Sequence, residues 1–312
     1  MLDSSRGRRR FVRAGLGFFV FALFGLVVRV RSAAVIERVH SVPEEELRLS
    51  LPRGPLDPIE RGRHLATAIA QCDFCHGHDF SGKRVVDDPW SGRLHAANLT
   101  AGKGGIGGDY DQADWIRAIR FGLRRDGRTL FLMPTAHLSA ITDADLAALI
   151  AYMRTLAPVV ADRPPTRVGW LMRVVLGLGI PIPDLVSARD ADLSRRPPRA
   201  LPIAATAEQG SYLLDLGNCR FCHGGDLRGG RHPLARAGEP APPDLTAGGS
   251  LSGWSRNDFA RAMRTGRTPD GRLLDREFMP WPGYAGLEEV EIDALWLALT
   301  GRSGGPEERV IR

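Results

Sequence analysis

Cysteine is scarce in this chain, with four in 312 residues. All four fall within two copies of one pentapeptide, CDFCH at 72–76 and CRFCH at 219–223. None is left for bracing distant segments, and a CxxC pair within one helical turn constrains nothing. Strand signals are almost absent, which removes the βαβ setting that a thiol redox CxxC site requires. Net charge is missing from most of the chain. Residues 1–31 hold Arg6, Arg8, Arg9, Arg10, Arg13, Arg29 and Arg31 against the single acid Asp3, which accounts for the whole formal +6. The remainder has 35 basic residues (42 less seven) and 35 acidic ones (36 less one). The pI near 9.6 is therefore a property of the N-terminus, and no nucleic-acid partner is expected.

Long apolar runs are also few. The one at the start, AGLGFFVFALFGLVV from Ala14 to Val28, follows the basic flank RGRRR, and Phe11, Val12 and Val30 extend it. A basic flank before an apolar run is an export signal. RSAAVIE at 31–37 is a poor cleavage site, so residues 11–31 are expected to remain as a transmembrane signal-anchor, with a removed signal peptide and a buried core helix as the alternatives. Arg13 and Arg29 would snorkel to its two interfaces. The positive-inside rule puts the basic flank 1–10 in the cytoplasm and the bulk of the chain outside the inner membrane.

The length suits two domains, and 43% hydrophobic residues suffice for cores. The second CxxCH lies 147 residues after the first, and other segments recur near that offset. ANLTAG at 97–102 pairs with PDLTAG at 243–248, ADWIRAIRFGLRRDGR at 113–128 with NDFARAMRTGRTPDGR at 257–272, and FLMP at 131–134 with EFMP at 277–280. This is the signature of an internal repeat. In each copy a helix precedes the CxxCH, started by Asp57, Pro58 and Glu60 or by Thr206. Gly62 and Gly210 sit early in these helices, where another helix can cross closely. Further helices are expected around Trp115–Phe121 and Phe259–Thr265, ending near Gly122 and Gly266. The last helix of copy one, capped by Thr142, carries Leu146, Leu149, Ile150 and Met153 on one stripe. Its counterpart carries Ile292, Leu295, Trp296 and Leu299. The expected fold class is all-α, two tandem domains at 57–156 and 202–301 after one anchor. Segment 32–56 is a linker, 157–201 a Pro/Arg-rich linker, and 302–312 a tail. The apolar stretch 168–183 of the second linker is read either as packing on a domain or as lying on a membrane or partner surface.

Domains of about 100 residues with few helices and Gly-rich loops bury little apolar surface alone, so something else must sit at their centre. A structural zinc site pairs CxxC units some 15–20 residues apart, far closer than here. Covalent haem attachment fits every feature: Cys72, Cys75, Cys219 and Cys222 as thioether anchors, and His76 and His223 as iron ligands. Two haem c groups are expected. Met133 and Met279 recur in register, each followed by proline, and are the candidates for the opposite face of the iron. His78, His95, His137 and His232 do not recur in both copies and are weaker rivals. His64 and Tyr212 occupy equivalent helix positions and read as packing or surface residues. Arg120, Trp115 and Arg264 are candidates for contacting haem propionates.

CxxCH, then NLT with GIG, then a helix ending in RxG, then MP, then LTDADLAALIAYMRTL resembles class I cytochrome c domains. The resemblance extends over 57–156 and 205–300. It is strongest to the membrane-anchored cytochrome subunits of bacterial periplasmic alcohol and gluconate dehydrogenases. Two departures stand out. Those subunits commonly carry three haems. The family also places a proline before NLT, whose carbonyl holds the haem histidine; Pro243 matches, whereas copy one has Ala97. With both irons His/Met-ligated, the expected function is a membrane-anchored periplasmic electron relay. Its partners would be a dehydrogenase donor and a quinone or terminal-oxidase acceptor. The alternatives are a dihaem, peroxidase-like oxidoreductase with one open iron, and a sensor or assembly subunit.

Overall fold

The computed structural model describes residues 4–49, 57–182, 184–190, 197–230, 235 and 238–302. Parts of the N-terminal flank, both linkers and the tail lie outside these ranges, as does His232. Helix α1 (Ser4–Ile36) contains the one stretch among the described residues long and apolar enough to cross a membrane, Gly15–Ile36. Its Phe18, Phe19, Phe21 and Leu23 touch no other part of the protein closely enough to be covered.

The first haem-motif half runs α2 (Pro58–His64), a π-turn (Leu65–Ile69), α3 (Cys72–His76), β1 (Arg84–Asp88), β2 (Gly92–His95), α4 (Gln112–Phe121), α5 (Thr135–Leu138) and α6 (Asp143–Met153). β3 (Arg167–Val168), α7 (Trp170–Leu178) and α8 (Ser187–Asp190) follow. The second half then has α9 (Ala207–Leu216), α10 (Cys219–His223), α11 (Arg256–Thr265), α12 (Trp281–Tyr284) and α13 (Glu289–Thr300). The expected caps are in place: Asp57 accepts from Ile59 N–H, Thr142 from Asp145 N–H and Thr206 from Gln209 N–H. α4 and α11 begin three residues before the sequence signal, because Asp111 with Asp114 and Ser255 with Asp258 form capping boxes. Both end at a left-handed glycine, Gly122 and Gly266.

Gly62 and Gly210 do what their position suggests. A Cβ at Gly62 would collide with the Ala148 carbonyl on α6, and one at Gly210 with the Ala294 carbonyl on α13. The glycines let two backbones touch. Gly210→Ala should lower stability by about 1–3 kcal/mol, the range for overpacking, despite alanine's better helix propensity. A thermal melt with an unshifted midpoint would contradict this crossing. The interval from Gly62 to Cys72 is one residue longer than that from Gly210 to Cys219. The π-turn absorbs that residue, with Ala70 N–H bonded to Leu65 O at 2.8 Å.

Among the described residues, the structure departs from an all-α reading in one sheet. β1, β2 and β3 form a small antiparallel sheet in the order β1-β2-β3. Val85 and Val86 supply β-branched residues. Asp88 then closes the turn by accepting from Trp90 N–H (2.9 Å) and Ser91 N–H (2.7 Å). This strand is too short and too exposed to show alternation in sequence.

A single hydrophobic cluster runs through both halves. The polar contacts across it are reciprocal. His64 Nε2 on α2 meets Glu291 on α13 at 2.8 Å, and Tyr212 on α9 donates to Asp145 on α6 at 2.8 Å. His64 and Tyr212 are thus interface residues rather than surface or filler. Arg61 joins the two acids, bidentate to Asp145 (2.9 and 3.0 Å) and 3.2 Å from Glu291. The linker stretch 168–182 packs largely on α1: Gly177 lies against Val28, and Arg173 Nη1 is 3.4 Å from Ser32 Oγ.

Candidate haem-binding sites

Each CxxCH forms one short helical turn. The residue before it is left-handed, Gln71 at φ 47° and Asn218 at φ 59°. Within the turn the two cysteines lie three apart on one face, with histidine next along the chain. Burial pushes the Cys72 thiol up to about 12, helped by the nearby charges of Asp73 and Cys75. Burial also pushes Cys219 to about 12. Both are therefore thiols in the free protein rather than activated thiolates. Among the described residues no three His, Cys, Asp or Glu side chains gather as a metal site.

Each histidine is held by one ring nitrogen. His76 Nδ1 donates to Ala97 O at 2.8 Å, and His223 Nδ1 donates to Pro243 O at 3.0 Å. Alanine thus serves where the resemblance expects proline, because only the carbonyl is used. The bond fixes the tautomer and leaves Nε2 with a free lone pair for a metal. Burial lowers the pKa of both imidazoles, which keeps them neutral. The carbonyl segment is itself positioned by matched backbone bonds. Gly82 and Gly229 N–H donate to His76 and His223 O at 2.8 Å, and Leu99 and Leu245 N–H to Phe80 and Leu227 O at 2.8 Å. Gly82 and Gly229 have φ 87° and 72°, and a side chain there would strike the 96–98 or 242–244 backbone.

Met133 and Met279 are half-buried and pack on the same cluster as Cys72 and Cys219. Pro134 (φ −77°, ψ 63°) and Pro280 (φ −76°, ψ 52°) each centre an inverse γ-turn. In it the methionine carbonyl accepts from Thr135 or Trp281 N–H at 2.7 Å. The methionine N–H groups differ. Met279 donates to Asp275 O in its own loop (2.8 Å), and Met133 donates to Ser187 Oγ on α8 (3.1 Å). Of the rival histidines, His78 is fully exposed and paired with Asp73, and His137 stacks edge-on against Phe221.

The residues present fit a haem. A water-sized apolar gap beside Cys219 is walled by Leu213, Met263, Tyr284, Leu287 and Leu295, and by Ile69 from the first half, side chains of the kind a porphyrin packs on. Trp115 is 2% exposed and its Nε1–H has no protein partner, as a donor reserved for a propionate would be. Arg120 also keeps its buried Nε–H without a protein partner, although its Nη2 is bound to Asp143 (2.9 Å), whereas Arg264 is half-exposed and paired with Glu289 (2.7 Å). Haem c bound here supplies a one-electron iron couple; the protein's part is to hold, orient and dry it. Sequence reasoning missed Ser187 and the His64 and Tyr212 contacts. The matched register of the last two was a usable signal for a shared role.

A family model, "Cytochrome C oxidase, cbb3-type, subunit III", matches residues 57–153. The chain is 30% identical over 237 residues to the gluconate 2-dehydrogenase cytochrome c subunit of Pantoea cypripedii, covering 67% of this chain and 51% of that protein. It is 28% identical over 237 residues to the fructose dehydrogenase cytochrome subunit of Gluconobacter japonicus (69% and 46%). It is also 32% identical over 233 residues to one of the nicotinate dehydrogenase subunits of Pseudomonas putida (67% and 18%). The match therefore spans about half of the first two relatives and a minor part of the third. Residues 57–153 are thus a cytochrome c family domain, and the chain is homologous to cytochrome c subunits of dehydrogenases.

Proposed function

We propose that the chain is a membrane-anchored, periplasmic dihaem cytochrome, with tandem haem domains at 57–156 and 202–301. It relays single electrons from a dehydrogenase partner toward quinone or a terminal oxidase. The observation that carries this reading is the repeated pairing of a carbonyl-held histidine with a Met-Pro γ-turn, at His76 with Met133 and at His223 with Met279. Two closed irons leave no site for substrate, which weighs against a peroxidase-like enzyme. The shared core and the His137–Phe221 contact, which joins the Met133 side of one half to the CxxCH of the other, support transfer between the haems. The relatives' names supply the dehydrogenase as donor class. Stopped-flow mixing of the oxidised protein with a reduced dehydrogenase expressed from the same genome tests this. Full reduction of both haems is expected; a protein that no dehydrogenase reduces contradicts it.

Ser187 gives a sharper expectation. It is fully buried, and Ser187→Ala leaves the Met133 N–H without its partner, a loss of about 1–3 kcal/mol. The ferric protein should then bind added imidazole at least tenfold more tightly at one haem, with the other unchanged. Ser187→Thr should restore the parent titration.

A further inference from the structure

Exposed apolar side chains gather on one face beside α1. Trp170, Leu171 and Leu178 project from α7 within an arc of about 100°, and Ile180 follows. Trp90, in the β1–β2 turn, joins them through the bond from Leu171 N–H to Trp90 O (2.9 Å). These five side chains are 44–67% exposed. A patch of this kind marks an interaction surface. We propose that the exposed face of α7 and the Trp90 turn enter the outer leaflet of the bilayer that α1 crosses, so that the protein is held by a span and by a short helix that dips in beside it. This rests on the reading of α1 as an uncleaved anchor.

The level at which α7 meets α1 argues for lipid. Residues 15–24 of α1 are exposed all round, and protein first closes on the helix at Val28 and Ser32. A hydrocarbon layer needs roughly 20 helical residues. Counted from the end of the RGRRR flank, that layer ends near Val30. Gly177 of α7 packs on Val28 and Arg173 of α7 bonds to Ser32, so the C-terminal end of α7 sits at the outer boundary of the hydrocarbon. Arg173 is the one charge on α7, and it is turned to α1 rather than to the exposed arc. Two tryptophans at this height are what an interfacial aromatic belt uses. α7 runs back along α1, since its residues 173 and 177 meet 32 and 28, so Leu178 and Ile180 at its end dip deepest and Trp170 stays at headgroup height.

Leu171→Cys and Leu178→Cys, each carrying a polarity-sensitive fluorophore, test the proposal in the full haem-loaded chain reconstituted into phosphatidylcholine vesicles. Leu273→Cys, exposed on the second half, is the control. Emission in vesicles with brominated acyl chains is divided by emission in plain vesicles, which cancels quenching by haem. The expected result is several-fold quenching at 171 and 178 and none at 273. A chain that stays with the vesicles after a high-salt wash but shows no quenching overturns the interfacial face and leaves the anchor standing. Labels that are shielded in native membranes yet unquenched in vesicles overturn it in favour of a partner subunit. A chain left in the supernatant overturns the anchor and this proposal together.

Discussion

Replacing Met279 with alanine is expected to lower the reduction potential of one haem by a few tenths of a volt, within the roughly 0.8 V that axial ligands span. A soft thioether favours reduced iron, and water or hydroxide in its place does not. The same variant should bind imidazole at that haem, and its methionine–iron charge-transfer band should fall to half. The inverse γ-turn at Pro280 and the bond from Met279 N–H to Asp275 O involve only backbone, so the loop should keep its path. Met279→His separates ligation from folding: six-coordination is retained and imidazole is excluded, while the potential still drops. Redox titration of Met279→Ala with both potentials unchanged would remove Met279 from the iron.

Arg61→Ala should destabilise the folded protein by about 3–5 kcal/mol, the cost of stranding a buried charge. The Arg61 side chain is 9% exposed, and its partners Asp145 and Glu291 are 13% and 0% exposed. Removing it leaves two acids close together across the interface between the halves. Guanidinium unfolding followed at the Soret band checks this; a change below about 1 kcal/mol would reduce the network to the value of a surface pair. The same network gives a pH dependence. Burial pushes the Glu291 carboxyl up, but bonds from His64 and Glu288 N–H and the charge of Arg61 outweigh it and hold the pKa below the ordinary 4.5. A depressed carboxyl stabilises the fold above its unfolded value and loses that contribution as pH falls through its folded value. Stability should therefore decline below about pH 4.5, and less steeply in Glu291→Gln.

The haem-motif turns, the Met-Pro loops, the crossing glycines and three of the helix caps were legible in sequence, whereas the caps Asp111 and Ser255 were not. Each is a local pattern or a repeated one: Asp57, Thr142 and Thr206 cap within three residues, and Gly62 and Gly210 share a register. What escaped depends on distant partners. The β1–β2 hairpin is settled by Asp88 and by pairing with β3 across the linker. The π-turn appears only when the spacing from glycine to cysteine is compared between copies. Ser187 reaches Met133 from 54 residues away, and its interior position in a Pro/Arg-rich linker gives no periodic signal. Composition also does not tell an arginine tied to a carboxylate, as Arg264 is to Glu289, from one that keeps a buried N–H free, as Arg120 does.

The number of haems covalently held by one chain tests the account most directly. Intact mass of the purified protein should exceed its polypeptide by two haems, and thiol alkylation under denaturing conditions should find no free cysteine. A single haem with two alkylated cysteines, at 72 and 75 or at 219 and 222, would contradict the paired sites.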